Sequence, residues 1–403
     1  MENIAPKRSA GAGKMTGTAR VLIIAGSDSS GGAGIQADIK TVTMLGGHAM
    51  TAVTAVTAQN TRGVDFIHPV PAEAVLAQID SVAEDIGIDA VKIGLVPGAF
   101  TADALANRLG QLKKIPIVFD PVMSSTSGGQ LADDAAIAAF GKLMAISTLV
   151  TPNLPELKRL TNEEDPVAAA LHLVSEHGCA VLIKGGHDEG DALADALIEE
   201  DNMMSWQGQR IETEHTHGTG CTLSSAIACF LAQGDSLTSA VERARTFVRV
   251  ALQDTPELGS GAGPIGQGRV RLDVGPGPRL NQVTLTGHDY ARSVGFYKAL
   301  GLKQIVDNPP DYARFETAGG GTLSVQIDKE QEISGDVAVY LECDDLDERV
   351  ERLARAGLPF EHGPRNQPWM WREARLRDPA GNIIFLYKAG EARRFPPWRI
   401  NGV

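Results

Sequence analysis

VLIIAGSDSSGGAGIQADIKT, residues 21–41, sets the fold class. Its first eight residues are an apolar run ending at Asp28, as a buried strand does where it meets a turn. Gly26, Gly31, Gly32 and Gly34 crowd the turn. IQADIKTVTMLGG then resumes with apolar residues at helical spacing and stops at a Gly pair. The alternation continues down the chain. Residues 49–56 (AMTAVTAV), 89–94 (DAVKIG), 115–120 (IPIVFD), 148–153 (TLVTPN) and 180–186 (AVLIKGG) read as strands, with AEAVLAQIDSVAEDIG and DPVAAALHLVSEHG among the helices between them. This predicts an α/β fold, a mostly parallel sheet with helices on both faces. Ligands of such sheets sit beyond the carboxyl ends of the strands. Gly26, Asp28, Lys92, Asp120, Asn153 and Lys184 are therefore predicted to gather on one edge.

The 403 residues suggest roughly two to three domains. With 43% apolar and 22% charged residues, the composition is that of a globular protein with core to spare. The balance of 37 basic to 50 acidic residues, net −13, argues against nucleic acid or an anionic membrane as a general partner. No apolar run approaches the ~20 residues of a membrane span. Cys179, Cys221, Cys229 and Cys343 have neither metal spacing nor the density of a disulfide framework, which suits a reducing, cytoplasmic setting. Residues 1–19 are small and polar, with no apolar core of a secretory signal, and read as a disordered tail. Gly11-Ala12-Gly13-Lys14 is followed by Met15 and preceded by no strand, so it is not a phosphate loop.

Between residues 256 and 278, LGSGAGPIGQG and VGPGPR break regular structure. The expected division is a domain over 20–268, a linker over 269–278 and a second domain over 279–403. The second block repeats itself. Leu285, Asp289, Val294, Gly301 and Leu302 recur 56 residues on as Leu341, Asp345, Val350, Gly357 and Leu358. Each copy reads as a β-α-β-β-β unit, an α+β domain in which two copies complete one curved sheet.

His215-Thr216-His217-Gly218-Thr219-Gly220-Cys221 precedes a helical run, residues 222–231. Glycines let amides approach a ligand, and a helix start offers unpaired N–H donors and a positive dipole end. Such a cradle stabilises a transferring phosphoryl group. Cys221 falls in the first turn, where the dipole favours thiolate and a basic or substrate-positioning role. By itself the heptad is equally a Gly-rich cap with a buried cysteine, and the turn after Asp28 equally a tight strand–helix connection.

AGSDSSGGAGIQADIKT, TAVTAQNTRGV, DAVKIGL, FDPVMSSTSG, LVTPNLPE, VLIKGGH and HTHGTGCTLSSAIA follow in that order. Over about residues 21–268 the chain resembles the hydroxymethylpyrimidine and phosphomethylpyrimidine kinases of thiamine biosynthesis, of the ribokinase-like fold. The resemblance implies ATP- and magnesium-dependent phosphorylation of a primary hydroxyl and then of the monophosphate. It implies that Gln59 binds the pyrimidine, whose amino group and ring nitrogen an amide can match. Gly26, Ala33 and Leu95 would line that site, with Asp38 close by. Cys221 would be catalytic, and Gly218, Thr219, Gly220 and Cys221 would form the anion hole. Lys184 would contact ATP, with Thr219 and Asn153. Asp120 and Glu156 would hold magnesium, partly through water. His187 follows Lys184 without an assigned role. Ser29 stands where Pro is frequent, Leu95 where Met is, and SSTSG lacks a lysine that many relatives carry. GSDSS also occurs in pyridoxal kinases of the same group, which makes pyridoxal the alternative substrate.

NQVTLTGHDYARSVGFYKALGL, LECDDLDERVERLARAG, RDPAGNIIFLY and KAGEARRFPPWRI resemble the vicinal oxygen chelate superfamily of glyoxalases and bleomycin-resistance proteins. Metal-dependent members supply four His, Gln or Glu ligands. The matching positions here are Gln282, Gln326, Ala338 and Phe385. Alanine and phenylalanine bind no metal, and two amides make a poor divalent site. The resemblance therefore implies a metal-free binding or dimer-building domain, with a lyase or dioxygenase activity as the alternative. Trp369, Trp371 and Trp398 could line an apolar pocket or pack in a core. Dimers are common in both families, so a homodimer is expected.

Overall fold

The computed structural model divides into two compact units, Met1–Val270 and Arg271–Val403. It describes residues 18–112, 115–124, 129, 131–185, 192–270, 279–287, 289–299, 303–316, 321–328, 338–355, 357–377 and 383–400. The expectations for the tail at residues 1–17, the linker at 271–278, His187 and the DPAGN turn at 378–382 lie outside these residues.

In the first unit the strands are β1 (Arg20–Asp28), β2 (His48–Asn60), β3 (Gly63–Pro69), β4 (Ala90–Ile93), β5 (Ile117–Phe119), β6 (Leu149–Val150), β7 (Ala180–Ile183), β8 (Ala192–Ile198) and β9 (Met203–Gln209). They form one sheet in the order β3-β2-β1-β4-β5-β6-β7-β8-β9. The six central strands, β2 to β7 in that order, are parallel, whereas β3, β8 and β9 run antiparallel at the two edges. All six sequence-predicted strands are the parallel ones. Their continuous apolar runs follow from burial on both faces, and Val21, Leu22, Ile23 and Ile24 are all fully buried.

The helices are α1 (Gly34–Met44), α2 (Ala72–Asp85), α3 (Ala99–Leu109), α4 (Asp134–Met144), α5 (Leu154–Thr161), α6 (Pro166–His177), α7 (Thr219–Ala232) and α8 (Leu237–Gln253). On one face Val75 of α2, Leu105 of α3, Phe140 of α4 and Leu173 of α6 share a core with Leu22, Ile24, Val91 and Phe119. Phe119 and Phe140 meet edge to face at 5.2 Å. Each such buried side chain contributes about 1.5–3 kcal/mol of burial free energy. On the other face α7 packs on β1, β4 and β5, with α1 and α8 beside it. Local signals set the helix ends. Asp165 caps α6 by accepting from the Ala168 amide, and Gly178 closes it in the left-handed region. The Gly-rich stretch folds back onto this unit, with Ile265, Gln267 and Val270 buried.

The second unit holds β10 (Arg279–Gly287), α9 (Tyr290–Ala299), β11 (Lys303–Asn308), β12 (Tyr312–Glu316) and β13 (Thr322–Ile327). The same order returns as β14 (Ala338–Glu342), α10 (Leu346–Arg355), β15 (Phe360–Asn366), β16 (Arg372–Arg377) and β17 (Ile383–Lys388). These are two β-α-β-β-β units in one eight-stranded sheet, β11-β12-β13-β10-β14-β17-β16-β15, joined through antiparallel β10 and β14.

Candidate functional site

The strand ends of the first unit open into a cavity of about 820 Å³. Gly26, Asp28, Lys92, Asp120, Asn153 and Lys184 all line it, as do Gln59, Ala33, Leu95, Glu156 and residues 216–221. The heptad before α7 spans the cavity. At one end His217 Nε2 lies 3.1 Å from the Gln59 amide. Three residues on, a methyl group placed on Gly220 would lie 3.4 Å from Lys184 Nζ and 3.5 Å from Asp120 Oδ2. Cys221, the next residue, also lines the cavity.

The cradle depends on backbone that other residues would not adopt. Gly218, the N-cap of α7, has φ +87°. A Cβ there would sit 2.0 Å from the Gly32 carbonyl oxygen, so the two Gly-rich turns touch through bare backbone. The Thr219 amide donates to the Thr216 carbonyl at 3.3 Å. Gly220 and Cys221, second and third in α7, have amides that the helix itself does not use. Of the four amides expected in the anion hole, that of Thr219 is thus already engaged by Thr216.

Asp28 organises the first turn. Its carboxylate accepts from the Gly32 and Ala33 amides at 3.0 and 2.7 Å, from the Ser30 amide and hydroxyl, and from His217 Nε2 at 3.0 Å. Burial raises its pKa, but the bonds from His217, Ala33 and Ser30 outweigh that and hold it at about 2. A carboxyl with a depressed folded pKa stabilises the fold above its unfolded value, near pH 4, and loses that contribution as pH falls through about 2. Asp28→Asn is therefore expected to cost about 2 kcal/mol at pH 7 and almost nothing at pH 2. Urea midpoints of both proteins across that range check this, and a pH-independent difference would contradict it. Ser29, where relatives often carry Pro, donates its hydroxyl to the Gln59 carbonyl at 2.7 Å and accepts from the Gln59 N–H at 2.8 Å. That hydroxyl ties the turn to β2.

At the other end Lys184 Nζ lies 2.8 Å from Asp120 Oδ1 and 3.8 Å from Glu156 Oε2. Burial disfavours the ammonium charge, but the two carboxylates raise the Lys184 pKa. Burial pushes the Glu156 carboxyl up, against Lys184 and with Asp120. Asn153 and Glu156 also form the capping box of α5, each side chain accepting from the other's amide at 2.9 and 2.8 Å. Among the described residues no three His, Cys, Asp or Glu side chains form a metal cage. Asp120 and Glu156 suit magnesium, which takes one or two carboxylates and completes its shell with water and phosphate.

Asp38 is not among the residues lining the cavity but pairs with one that is. It is fully buried, 2.8 Å from Lys92 Nζ, and accepts from the Ser225 hydroxyl at 2.7 Å. The thiolate expectation for Cys221 needs correction. Burial drives its thiol up to about 11; Lys92 and the Gly34 amide pull it down, while Asp38 and Asp120 push it back. Desolvation outweighs the helix dipole here. Sequence reasoning gave no role to His217 or Asp28. They meet across 189 residues, and no local signal joins them. It also missed Arg245, a cavity-lining cation held by Asp195 at 2.7 Å.

In the second unit Gln282 is buried, donates to Ser324 Oγ at 2.8 Å and pairs in register with Thr322 and Tyr340. Gln326 lies four residues along β13 from Thr322, about 13 Å, and donates to the Asp311 carbonyl. The two amides therefore do not converge. Ala338 pairs with Thr284, and Phe385 stacks on Tyr340 at 4.5 Å. Trp371 is core, stacked on Tyr387, whereas Trp369 and Trp398 are exposed. Arg393, fully buried, lies 3.6 Å from Glu342, and Arg394 bonds Glu316 at 2.9 Å. Among the described residues of the chain no helix is long and apolar enough to cross a membrane.

The hydroxymethylpyrimidine/phosphomethylpyrimidine kinase of Rhizobium meliloti is 44% identical over 257 residues, 62% of this chain and 96% of that protein. A thiamine biosynthesis bifunctional protein of Geobacter sulfurreducens is 44% identical over 251 residues, 61% of this chain and 51% of its own, so the chain spans about half of that relative. Among solved structures, an ADP complex of Bacillus subtilis pyridoxal kinase superposes with TM-score 0.58 at 29% identity, over 62% of this chain and 98% of that one. The phosphomethylpyrimidine kinase of Clostridium difficile 630 superposes with TM-score 0.52 at 35% identity, over 58% of this chain and 99% of that one. A family model described as Glyoxalase/Bleomycin resistance protein/Dioxygenase superfamily matches residues 279–386. A model described as phosphomethylpyrimidine kinase matches residues 28–266, from the Asp28 hub onward and over more than half of the sequence, and the chain belongs to that family.

Proposed function

We propose that the chain transfers the terminal phosphoryl of ATP to the hydroxyl of 4-amino-5-hydroxymethyl-2-methylpyrimidine and then to the resulting monophosphate, in thiamine biosynthesis. The carrying observation is the heptad that reaches Gln59 through His217 and the Asp120–Lys184 pair through Gly220. It sets an acceptor-reading amide and a phosphate-binding cation at opposite ends of one cavity. On this reading Gln59 reads the pyrimidine, with Gly26, Ala33 and Leu95 as its walls. Lys184 meets the phosphates, and the Gly220 and Cys221 amides face the charge that spreads over the moving phosphoryl group. Cys221 holds the acceptor hydroxyl. Magnesium, when bound, would offset phosphate charge, and Asp120 and Glu156 would hold it. Asn153 supports this indirectly, by fixing Glu156 through the capping box.

The remaining assignments belong to the same reading. The kinase domain is residues 20–268, followed by a linker and a metal-free module for ligand binding or dimerisation. The donor chemistry of Gln282, Ala338 and Phe385 supports the last point. The protein works as a cytoplasmic homodimer.

A coupled assay of ATP consumption with hydroxymethylpyrimidine, its monophosphate and pyridoxal tests the assignment. Turnover of the two pyrimidines well above pyridoxal supports it, and preference for pyridoxal overturns it. Gln59→Ala is expected to raise KM for the pyrimidine roughly 10- to 100-fold and leave KM for ATP within about twofold. Equal losses on both substrates would contradict the role of Gln59.

A further inference from the structure

The Gln59 side chain is held at both ends, and its neighbours decide which end is oxygen. One end of the amide lies 3.1 Å from His217 Nε2. The other lies 3.3 Å from Thr57 Oγ1. An amide's two ends have the same shape and opposite hydrogen-bonding character, so the surrounding hydrogens tell them apart.

Both neighbours give the same answer. His217 Nε2 is 3.0 Å from Asp28 Oδ2. That oxygen also accepts from the amides of Gly32 and Ala33. An ionised carboxylate accepts only, so Nε2 must carry a hydrogen. A ring nitrogen with a hydrogen cannot accept from an NH2 group, so an NH2 end would set hydrogen against hydrogen; the Gln59 end facing His217 must be the carbonyl oxygen, which shares the one Nε2 hydrogen with Asp28 Oδ2. Thr57 has a single hydroxyl hydrogen, given to the Ser27 carbonyl at 3.0 Å. Toward Gln59 its oxygen can only accept, so the end facing Thr57 must be NH2.

We propose that His217 and Thr57 are positioning residues that lock the polarity of the Gln59 amide, oxygen toward His217 and NH2 toward Thr57, and so dictate the donor–acceptor order that the acceptor ring must present. The proposal rests on the reading that Gln59 meets the pyrimidine. The locked amide leaves one lone pair and one hydrogen for a ring edge with a donor beside an acceptor. A 4-aminopyrimidine has that edge, amino group beside ring nitrogen. Its 4-oxo counterpart, a carbonyl beside a ring N–H, has the reverse order.

The test is the ratio of kcat/KM for hydroxymethylpyrimidine to that for its 4-oxo analogue. The wild type is expected to prefer the amino compound by about 10³-fold or more, as sites built to hydrogen-bond a substrate do. His217→Ala frees one end and is expected to lower the ratio at least tenfold. Thr57→Val, which keeps the side-chain shape and deletes the acceptor, should act in the same direction, and the double variant should lower the ratio further. His217→Gln can return an N–H near the Nε2 position and is expected to restore most of the ratio. In each variant KM for ATP should stay within about twofold, which also reports folding. A wild-type ratio in both His217→Ala and Thr57→Val overturns the proposal, as does equal loss on the two pyrimidines. If His217→Ala does not fold, Thr57→Val and His217→Gln decide alone. A wild type that phosphorylates neither pyrimidine instead removes the kinase assignment itself.

Discussion

Cys221→Ala is expected to fold normally and to lose about 10²-fold in kcat, the scale for misplacing a reacting group that a side chain had oriented. The fold does not depend on the thiol. Gly218 caps α7, and the first-turn bonds run through backbone. Its environment limits what it does. A thiol driven up to about 11 is protonated at neutral pH and cannot deprotonate the hydroxyl before transfer begins. In a loose phosphoryl-transfer transition state the hydroxyl keeps its proton until late. On the proposed reading Cys221 therefore orients the hydroxyl as a neutral S–H, and the proton lost from the hydroxyl leaves on an oxygen of the transferred phosphoryl group. Two further results follow. Cys221→Ser, which keeps a donor and an acceptor, should recover all but about tenfold of the loss. The wild-type rate between pH 6 and 9 should show no limb that disappears in the Ser variant. Such a limb near pH 7–8 would mean a thiolate, and wild-type turnover in Cys221→Ala would remove the residue from the mechanism.

What the sequence made legible follows from burial. Apart from β2 the parallel strands are two-sided apolar runs, and each of the six ends in, or is followed directly by, a Gly or polar residue where the sheet stops. Hence the cavity-lining strand-end set was predictable without a template. The edges were not. In β9 exposed and half-buried residues alternate, and β3 has no buried residue, so neither carries an apolar run. The Asn153-to-Glu156 spacing is a capping-box signature that was present in the sequence. The structure gives Glu156 that capping duty beside the one the resemblance implies. Beyond reach were the pairings across the fold. Asp28 with His217 is a matter of tertiary contact between two loops, each of which reads locally as a Gly-rich turn. The thiolate expectation failed for a related reason. A dipole is visible in a helix start, whereas the desolvation that overrides it depends on what packs above.

Lys92→Met is expected to be the most destabilising of these changes, at about 3–5 kcal/mol, a large part of the ~5–15 kcal/mol of a typical fold. Lys92 sits in β4, a strand with all four residues buried, and both it and Asp38 are fully buried. Burial works against the ammonium, but Asp38 at 2.8 Å outweighs it and raises the Lys92 pKa, so the pair is ionic. Removing one partner leaves a buried carboxylate with only the Ser225 hydroxyl, and an orphaned charge costs far more than the intact pair contributes. Protonation then becomes the cheapest relief. A carboxyl whose folded pKa is raised gains stability as pH falls, so the deficit of Lys92→Met should shrink between pH 7 and 5. Adding Asp38→Asn, which removes the charge, should restore part of the loss at pH 7. Urea unfolding of the single and double variants measures both effects. A deficit under about 1 kcal/mol, or a double variant no better than the single, would mean that water reaches the pair and that it is not a buried ion pair beneath the site.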